Sequence, residues 1–329
     1  MSSSPDAPDL PPVPRRRVAW LVLRAVVGVA LVAAPAWVVL STGDAVAHQH
    51  LTLALLLAAS ALAGLVLLTT TALAARRRTV RPTPRHPVLR AVAAGVGLGL
   101  LAVLAGAAAW LRPFPATQVA LDALVDDDVV EVRETPGWYA FVPRDADATT
   151  GLVYSPGARV DVRATAAVLR PLAEAGYVVV ALKEPLGIAL ISPDQSASAI
   201  AAFDEVSSWV VGGHSLGGVA ASSFAAAHDD VVDGLLLHAS YPLGDLSDAD
   251  VRVTSVWGSR DGLTTAEDVE ASRATLPTGT TFVEVPGAVH AFFADYGPQP
   301  GDGTPEVSRT EAQAQIVGAS LAALGAHQG

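Results

Sequence analysis

A serine in a glycine-rich turn is the residue of this sequence that most clearly indicates chemistry. Ser215 is the centre of Gly-His-Ser-Leu-Gly, residues 213–217, a G-x-S-x-G pentapeptide. The apolar run before it predicts a buried strand, and the alanine-rich run after it predicts a helix. This strand–turn–helix setting places a serine hydroxyl at the tip of a tight turn, where flanking glycines avoid steric crowding. Ser215 is therefore predicted to be a nucleophile.

A carboxylate and an imidazole follow two later predicted strands. Asp261 lies in a Gly-Ser-Arg-Asp-Gly loop after the strand that ends at Trp257, and His290 lies in the loop after the last predicted strand. Loops beyond the carboxyl ends of parallel strands share one edge of the sheet. A histidine there accepts the proton of an attacking serine, and an aspartate orients the histidine ring. We therefore expect Ser215, His290 and Asp261 to act as nucleophile, base and acid.

Such an attack creates a negatively charged oxygen that needs two hydrogen-bond donors. The N–H of Leu216, at the start of the predicted helix, is one candidate donor. The second is expected from the turn after the first parallel strand, at Gly157 or Ala158.

Each of these side chains also has an ordinary structural interpretation. Ser215 fits a serine that only packs in a turn, Asp261 fits a helix cap, and His290 fits a surface histidine. Two other histidines are rivals for the base. His214 adjoins the nucleophile, so its side chain is expected to point away from the site, and His238 follows a core strand that contributes no member of the set.

The elements that must position these residues alternate between strand and helix. The predicted strands are 129–132, 138–142, 151–154, 177–182, 209–211, 232–237, 251–257 and 281–285, and the predicted helices are 162–175, 197–203, 218–227, 266–276 and 311–324. The first two strands form a hairpin around a Pro-Gly turn. The rest predict a doubly wound, mostly parallel α/β sheet with helices on both faces. Lys183 and Glu184 lie at the end of the second parallel strand of this sheet, and no catalytic role is predicted for them.

The first third of the chain has a different composition. Three apolar stretches, 18–40, 51–75 and 88–111, are each long enough to cross about 30 Å of hydrocarbon as a helix. A buried core helix is the alternative, but the length and the near absence of charge argue against it. The predicted domains are a disordered basic tail at 1–17, a three-helix membrane anchor at 18–112, a linker at 113–128 and the α/β domain at 129–329.

The arginines predict how the anchor is oriented. They precede the first span or lie in and beside the connection between the second and third, whereas residues 41–50 have no Lys or Arg. Positive loops stay in the cytoplasm, so the globular domain is expected on the extracytoplasmic side of a multi-pass cell-membrane protein. Residues 45–47, Ala-Val-Ala, resemble a signal-peptidase site, but the long apolar core before them favours an intact anchor.

Charge and residue usage narrow the possible partners. The formal net charge is −11, divided between about +8 for residues 1–112 and about −19 for residues 113–329. An acidic domain repels nucleic acid. The absence of cysteine excludes disulfides and thiolate chemistry. Asp44, His48 and His50 are compatible with a metal site, but an ordinary polar edge is the preferred interpretation, and no cofactor or metal is predicted.

The region from about 129 to 324 resembles the α/β-hydrolase superfamily, and most of all its compact, lid-free branch related to dienelactone hydrolases. The segments that carry the resemblance are GGHSLGG, WGSRDGLTT, GAVHAFFADYGPQPGDG and the YSPG turn at 154–157. The resemblance implies Ser215 as nucleophile, His290 as base and Asp261 as the acid. Dienelactone hydrolases use a cysteine nucleophile, so lactone hydrolysis does not carry over.

The function predicted from the sequence is a membrane-anchored serine hydrolase of carboxylic esters or similar acyl compounds. Its expected partners are a small acyl substrate and the lipid bilayer. Two alternatives stay open at this stage: an acyltransferase that acts on an envelope alcohol, and a non-catalytic α/β-hydrolase domain that serves as a binding module.

Overall fold

The structure is a computed structural model of the 329-residue chain, and it describes residues 15–76 and 86–327. Residues 1–14 of the predicted tail and four arginines of the predicted cytoplasmic loop (Arg77, Arg78, Arg81 and Arg85) lie outside the described residues. The chain divides into two compact units. One comprises Met1–Ser41 with Leu55–Trp110, and the other comprises Thr42–Ala54 with Leu111–Gly329.

Three long helices account for the apolar stretches: α1 (Arg15–His48), α2 (Leu51–Arg76) and α3 (Pro87–Trp110). By length and composition, each is able to cross a membrane. The first helix extends beyond the predicted span, with a break at Thr42 where φ is −145°. The expected loop at residues 41–50 is therefore mostly helical. Within the helical unit, Arg24 donates hydrogen bonds to the hydroxyls of Thr70 and Thr71, which satisfies a cation in an apolar helix.

The second unit is built on one eight-stranded sheet. Its strands are β1 (Val130–Glu134), β2 (Trp138–Pro143), β3 (Thr150–Ser155), β4 (Val178–Leu182), β5 (Ser208–His214), β6 (Val232–His238), β7 (Arg252–Gly258) and β8 (Thr281–Val285). Their order is β1-β2-β4-β3-β5-β6-β7-β8. The pairs β1–β2 and β2–β4 are antiparallel, and all others are parallel. The predicted α/β fold class and the N-terminal hairpin are confirmed.

Helices cover both faces of the sheet. They are α4 (Gln118–Asp122), α5 (Ala166–Glu174), α6 (Gln195–Ile200), α7 (Leu216–Ala227), α8 (Ala266–Ser272) and α9 (Arg309–Gly325). One buried apolar cluster joins the sheet to α5 and α9, and a second joins the opposite face to α6 and α7. The strands between them are buried on both faces, which explains why β3, β4 and β5 have nearly continuous apolar sequences. This two-sided burial fixes the strand ends that carry the candidate site.

Candidate active site

The turn that carries Ser215 has a strained backbone. Ser215 follows β5 and precedes α7, with φ of 52° and ψ of −125°. A positive φ is sterically unfavourable for a residue with a side chain, so surrounding contacts must hold it in place. Its N–H donates to the carbonyl of His238 at 3.0 Å, and its carbonyl accepts from the hydroxyl of Ser240 at 2.7 Å. These bonds fix Ser215 at the carboxyl end of β5.

Close backbone contacts explain the glycines on either side of the serine. A Cβ on Gly213 would lie 2.4 Å from the carbonyl carbon of Gly217, and a Cβ on Gly217 would lie 2.0 Å from the carbonyl oxygen of Ser155. Because backbone atoms leave no room for either group, only glycine fits at these positions. The turn therefore packs directly against the end of β3.

The predicted acid and base meet as a buried pair. His290 Nδ1 lies 2.8 Å from Asp261 Oδ2, and both side chains are almost fully excluded from solvent. A carboxylate only accepts hydrogen bonds, so Nδ1 carries the hydrogen and Nε2 presents a lone pair. The other carboxylate oxygen accepts from the N–H groups of Leu263 and Thr264 at 2.8 and 2.7 Å. This arrangement orients His290 to accept a proton at Nε2.

A second carboxylate, which was not among the predicted site residues, holds the loop of His290. Asp302 Oδ1 accepts from the N–H of His290 at 3.0 Å, and Oδ2 accepts from the N–H of Ala291 at 2.9 Å. Asp302 lies in the segment GPQPGDG. Its glycines and prolines indicate a turn, and an aspartate in a turn often accepts hydrogen bonds from backbone N–H groups. Asp302 therefore positions the backbone of the candidate base.

Ser215 and His290 lie at the same edge of the sheet. In the part of the chain that the structure describes, they form no hydrogen bond with each other. Their proximity shows in His214, the residue before the serine, whose ring centroid lies 4.5 Å from that of His290. Serine–histidine contacts in unliganded sites are often long and shorten when substrate binds. The structure thus pairs Asp261 with His290, and Ser215 as their nucleophile stays a prediction.

Three backbone N–H groups are candidate donors to an oxyanion. Leu216 begins α7, whose N-terminus carries a partial positive charge, and Gly157 and Ala158 follow β3. Across residues 15–76 and 86–327, none of these three N–H groups finds an acceptor. N–H groups without an acceptor at the carboxyl end of the sheet can donate hydrogen bonds to a substrate oxygen that becomes negatively charged during the reaction.

His214 does not lie where it was expected. Rather than pointing away from the site, its fully buried ring packs against the ring of His290. The ring centroids of Phe293 and Tyr296 lie 6.1 and 6.0 Å from that of His214. Neither of its ring nitrogens has a partner among the described residues. Burial, followed by the neighbouring His290 and His238, lowers the pKa of His214 well below its usual value. The residue is therefore neutral and packs behind the candidate base.

His238 is a core residue, as the sequence indicated. Its ring is fully buried, and its nitrogens lie 3.0 Å from the hydroxyl of Tyr154 and 2.9 Å from the hydroxyl of Ser320. Burial lowers the pKa of His238 to about 3. With both nitrogens engaged, His238 has no free lone pair for a substrate, which leaves His290 as the candidate base.

Lys183 and Glu184 have separate environments at the end of β4. Lys183 Nζ lies 2.6 Å from Glu134 Oε1 and 4.6 Å from the centre of the Tyr139 ring, so it is satisfied within the sheet edge. Glu184 is 3% exposed and has one oxygen without a partner in the described chain. Burial raises the pKa of Glu184 to about 7. The carboxyl thus titrates near neutrality beside the turn of Gly157.

A family model described as "Alpha/beta hydrolase family" matches residues 151–314. A solved structure titled "Pyrobaculum calidifontis esterase monoclinic form" aligns with a TM-score of 0.47 and 18% identity, over 62% of this chain and 89% of that chain. No protein with a curated description matches the sequence. The matched family segment contains Ser215, Asp261 and His290.

Proposed function

Residues 151–314 form a domain of the alpha/beta hydrolase family, and from this premise we propose that the chain is a membrane-anchored serine hydrolase of carboxylic esters or similar acyl compounds. The observation that carries the proposal is the buried hydrogen bond between Asp261 and His290. It lies at the same sheet edge as the strained turn of Ser215. An acid, a base and a nucleophile at one edge are the groups that acyl transfer needs.

The first half of the reaction forms an acyl-enzyme. Ser215 Oγ attacks the substrate carbonyl carbon, and His290 Nε2 takes the hydroxyl proton as the new C–O bond forms. Asp261 stabilises the resulting imidazolium without taking its proton. His290 then donates that proton to the leaving alkoxide, the substrate C–O bond breaks, and an alcohol departs.

The second half returns the enzyme to its starting state. Water attacks the acyl carbon while His290 accepts one of its protons. Collapse of this second tetrahedral intermediate releases the carboxylic acid as His290 returns the proton to Ser215. The N–H of Leu216 and that of Gly157 or Ala158 bind the oxyanion in both halves. Loss of one such donor costs about 3 kcal/mol of transition-state stabilisation.

The membrane part of the proposal rests on the three long apolar helices and the arginines around them. Each helix is long and apolar enough to span a bilayer. The arginines cluster at the start of α1 and in the region from the end of α2 to the start of α3, which supports a cytoplasmic location for both clusters. The hydrolase domain, after the third helix, is then extracytoplasmic.

The nucleophile is tested with a fluorophosphonate probe, which reacts covalently with activated serines. The full-length protein in detergent micelles should be labelled, and Ser215→Ala should abolish labelling and lower kcat for a p-nitrophenyl ester about 10⁴-fold or more. A matched control is Ser198→Ala, because Ser198 is exposed on α6 and its hydroxyl, within the described part of the chain, bonds only the carbonyl of Gln195. Labelling that persists in Ser215→Ala contradicts the proposal.

A further inference from the structure

Two residues next to the candidate oxyanion turn have an unusual backbone. Arg159 directly follows Ala158 and has a φ of 62°, and Leu186, in the loop after β4, has a φ of 56°. Residues with side chains rarely adopt this left-handed conformation and keep it only where neighbouring contacts impose it. The two loops are joined, because the N–H of Arg159 donates to the carbonyl of Gly187 at 2.8 Å. Strain is thus concentrated beside the expected donors.

The segment Thr42–Ala54, which links the first two long helices, contacts both of these loops. It belongs to the same compact unit as the hydrolase domain. The hydroxyl oxygen of Thr52 accepts from the N–H of Leu186 at 2.8 Å. The side-chain amide of Gln49 donates to the carbonyl of Val160 at 2.8 Å, in a bond buried from solvent. Thr52 therefore bonds the left-handed residue Leu186, and Gln49 bonds the residue after the left-handed Arg159.

A neutral histidine orients the hydroxyl of Thr52. His50 Nδ1 lies 3.0 Å from Thr52 Oγ1 and 3.3 Å from the Thr52 nitrogen. The N–H of Thr52 donates to Nδ1, so Nδ1 carries no hydrogen and accepts the hydroxyl hydrogen. Burial and the nearby Lys183 lower the pKa of His50, which favours this neutral ring. The oxygen lone pairs are then free to accept from Leu186.

An ion pair holds the same segment at a third point. Arg163 lies 2.8 Å from Asp44 and 2.8 Å from Asp161, with a side chain that is 7% exposed. A buried guanidinium without charged partners destabilises the folded state. The ion pair with Arg163 therefore keeps Asp44 against the hydrolase domain. Gln49, Thr52 and Asp44 together contact the loops that follow β3 and β4.

We propose that Gln49 and Thr52 are positioning residues of the active site. Their two hydrogen bonds hold the left-handed turns at Arg159 and Leu186, and these turns set the direction of the N–H groups of Gly157 and Ala158. The inference rests on the proposed hydrolase activity and adds a role for the helix connection. The connection is then part of the catalytic scaffold, and the hydrolase domain is incomplete without it.

Kinetics of the full-length protein in detergent micelles test this role. The double variant Gln49→Leu/Thr52→Val keeps side-chain size but removes both hydrogen bonds. We expect its kcat for a p-nitrophenyl ester to fall at least tenfold while KM changes less than twofold, because oxyanion binding acts on the transition state. Thr52→Ser keeps the hydroxyl and should retain near wild-type kcat. The control Gln118→Leu breaks only an exposed bond to Asp122. A double variant with kcat within twofold of wild type overturns the proposal.

Hydrogen exchange gives a readout that does not depend on activity. In the double variant, the amides of 158–160 and 186–187 should exchange at least tenfold faster, while those of β5 stay at the wild-type rate. Unchanged exchange in both loops overturns the proposal even if the protein hydrolyses esters. If both loops exchange faster in the double variant but a fluorophosphonate does not label the wild-type protein, the hydrolase function is contradicted. The hydrogen bonds of Gln49 and Thr52 are then still supported as the contacts that hold these loops.

Discussion

At the scale of single residues, the carboxyl of Glu184 carries a stability cost that depends on pH. Its side chain is 3% exposed and one of its oxygens has no partner in the described chain. Burial raises its pKa from 4.5 to about 7. Between these two values the folded state binds the proton more tightly than the unfolded chain, so stability falls as pH rises through this window. Above pH 7 the full cost of the buried carboxylate is present.

Replacement of this carboxyl removes its pH dependence. Glu184→Gln keeps the shape of the side chain but does not ionise. Relative to wild type, the variant should gain about 3 kcal/mol of stability between pH 4 and pH 8, the equivalent of a pKa shift of about 2.5. The measurement is the difference in Tm between the two proteins across that range. A difference independent of pH contradicts the raised pKa.

Residue types and spacing predicted Asp261 and His290 because both follow strands whose carboxyl ends share one edge. The same reasoning did not find Asp302, assigned no function to Glu184, and wrongly directed the ring of His214 away from the site. Asp302 acts through bonds to backbone N–H groups, which any turn aspartate forms. The rings of His214 and His290 lie 4.5 Å apart, centroid to centroid, although the two residues are far apart in the sequence. A sequence pattern does not specify the direction of an individual side chain.

At the scale of elements, the turn after β3 and the end of β5 depend on each other. A Cβ on Gly157 would lie 2.7 Å from Nδ1 of His214. His214 has no space to retreat, because its ring packs against His290, Phe293 and Tyr296. Any side chain at this position must therefore displace the turn that offers the expected oxyanion donor.

Gly157→Ala should accordingly lower kcat about 10²-fold to 10³-fold, the range for a lost oxyanion donor, with a smaller change in KM. Gly279→Ala is a matched control, since a Cβ there would meet nothing within 4 Å. The measurement is the steady-state rate on a p-nitrophenyl ester. If Gly157→Ala retains wild-type kcat, this turn does not supply the donor.

Most elements of the sheet were predictable, and the helix connection was not. The predicted strand 281–285 coincides with the observed β8, because a short run rich in β-branched and aromatic residues lies between two Pro- and Gly-containing turns. The contacts of Gln49 and Thr52 join residues 111 and 134 positions apart. Hydrogen bonds between residues so far apart leave no periodic pattern in the sequence. The sequence therefore predicted only an ordinary polar loop between the first two helices.

At the scale of the whole molecule, the charge asymmetry and the long helices argue for one orientation. A first helix removed as a signal peptide at residues 45–47 would take Asp44 with it. Arg163 would then keep only Asp161 as its charged partner in a site where it is 7% exposed. The ion pair with Asp44 therefore supports the proposal that the first helix stays intact. The proposed cytoplasmic N-terminus rests separately on the arginines.

Cysteine accessibility tests this topology, and the chain has no native cysteine to interfere. In intact cells, a membrane-impermeant maleimide should label Ser198→Cys, which is exposed on α6, and should not label Ser3→Cys in the N-terminal tail. Both should react after permeabilisation, which controls for reactivity. Labelling of Ser3→Cys alone reverses the orientation, and absence of Ser3→Cys from the mature protein means that the first helix is cleaved. Because an extracytoplasmic domain meets only substrates outside the cell membrane, the same result decides where the proposed acyl substrate must be sought.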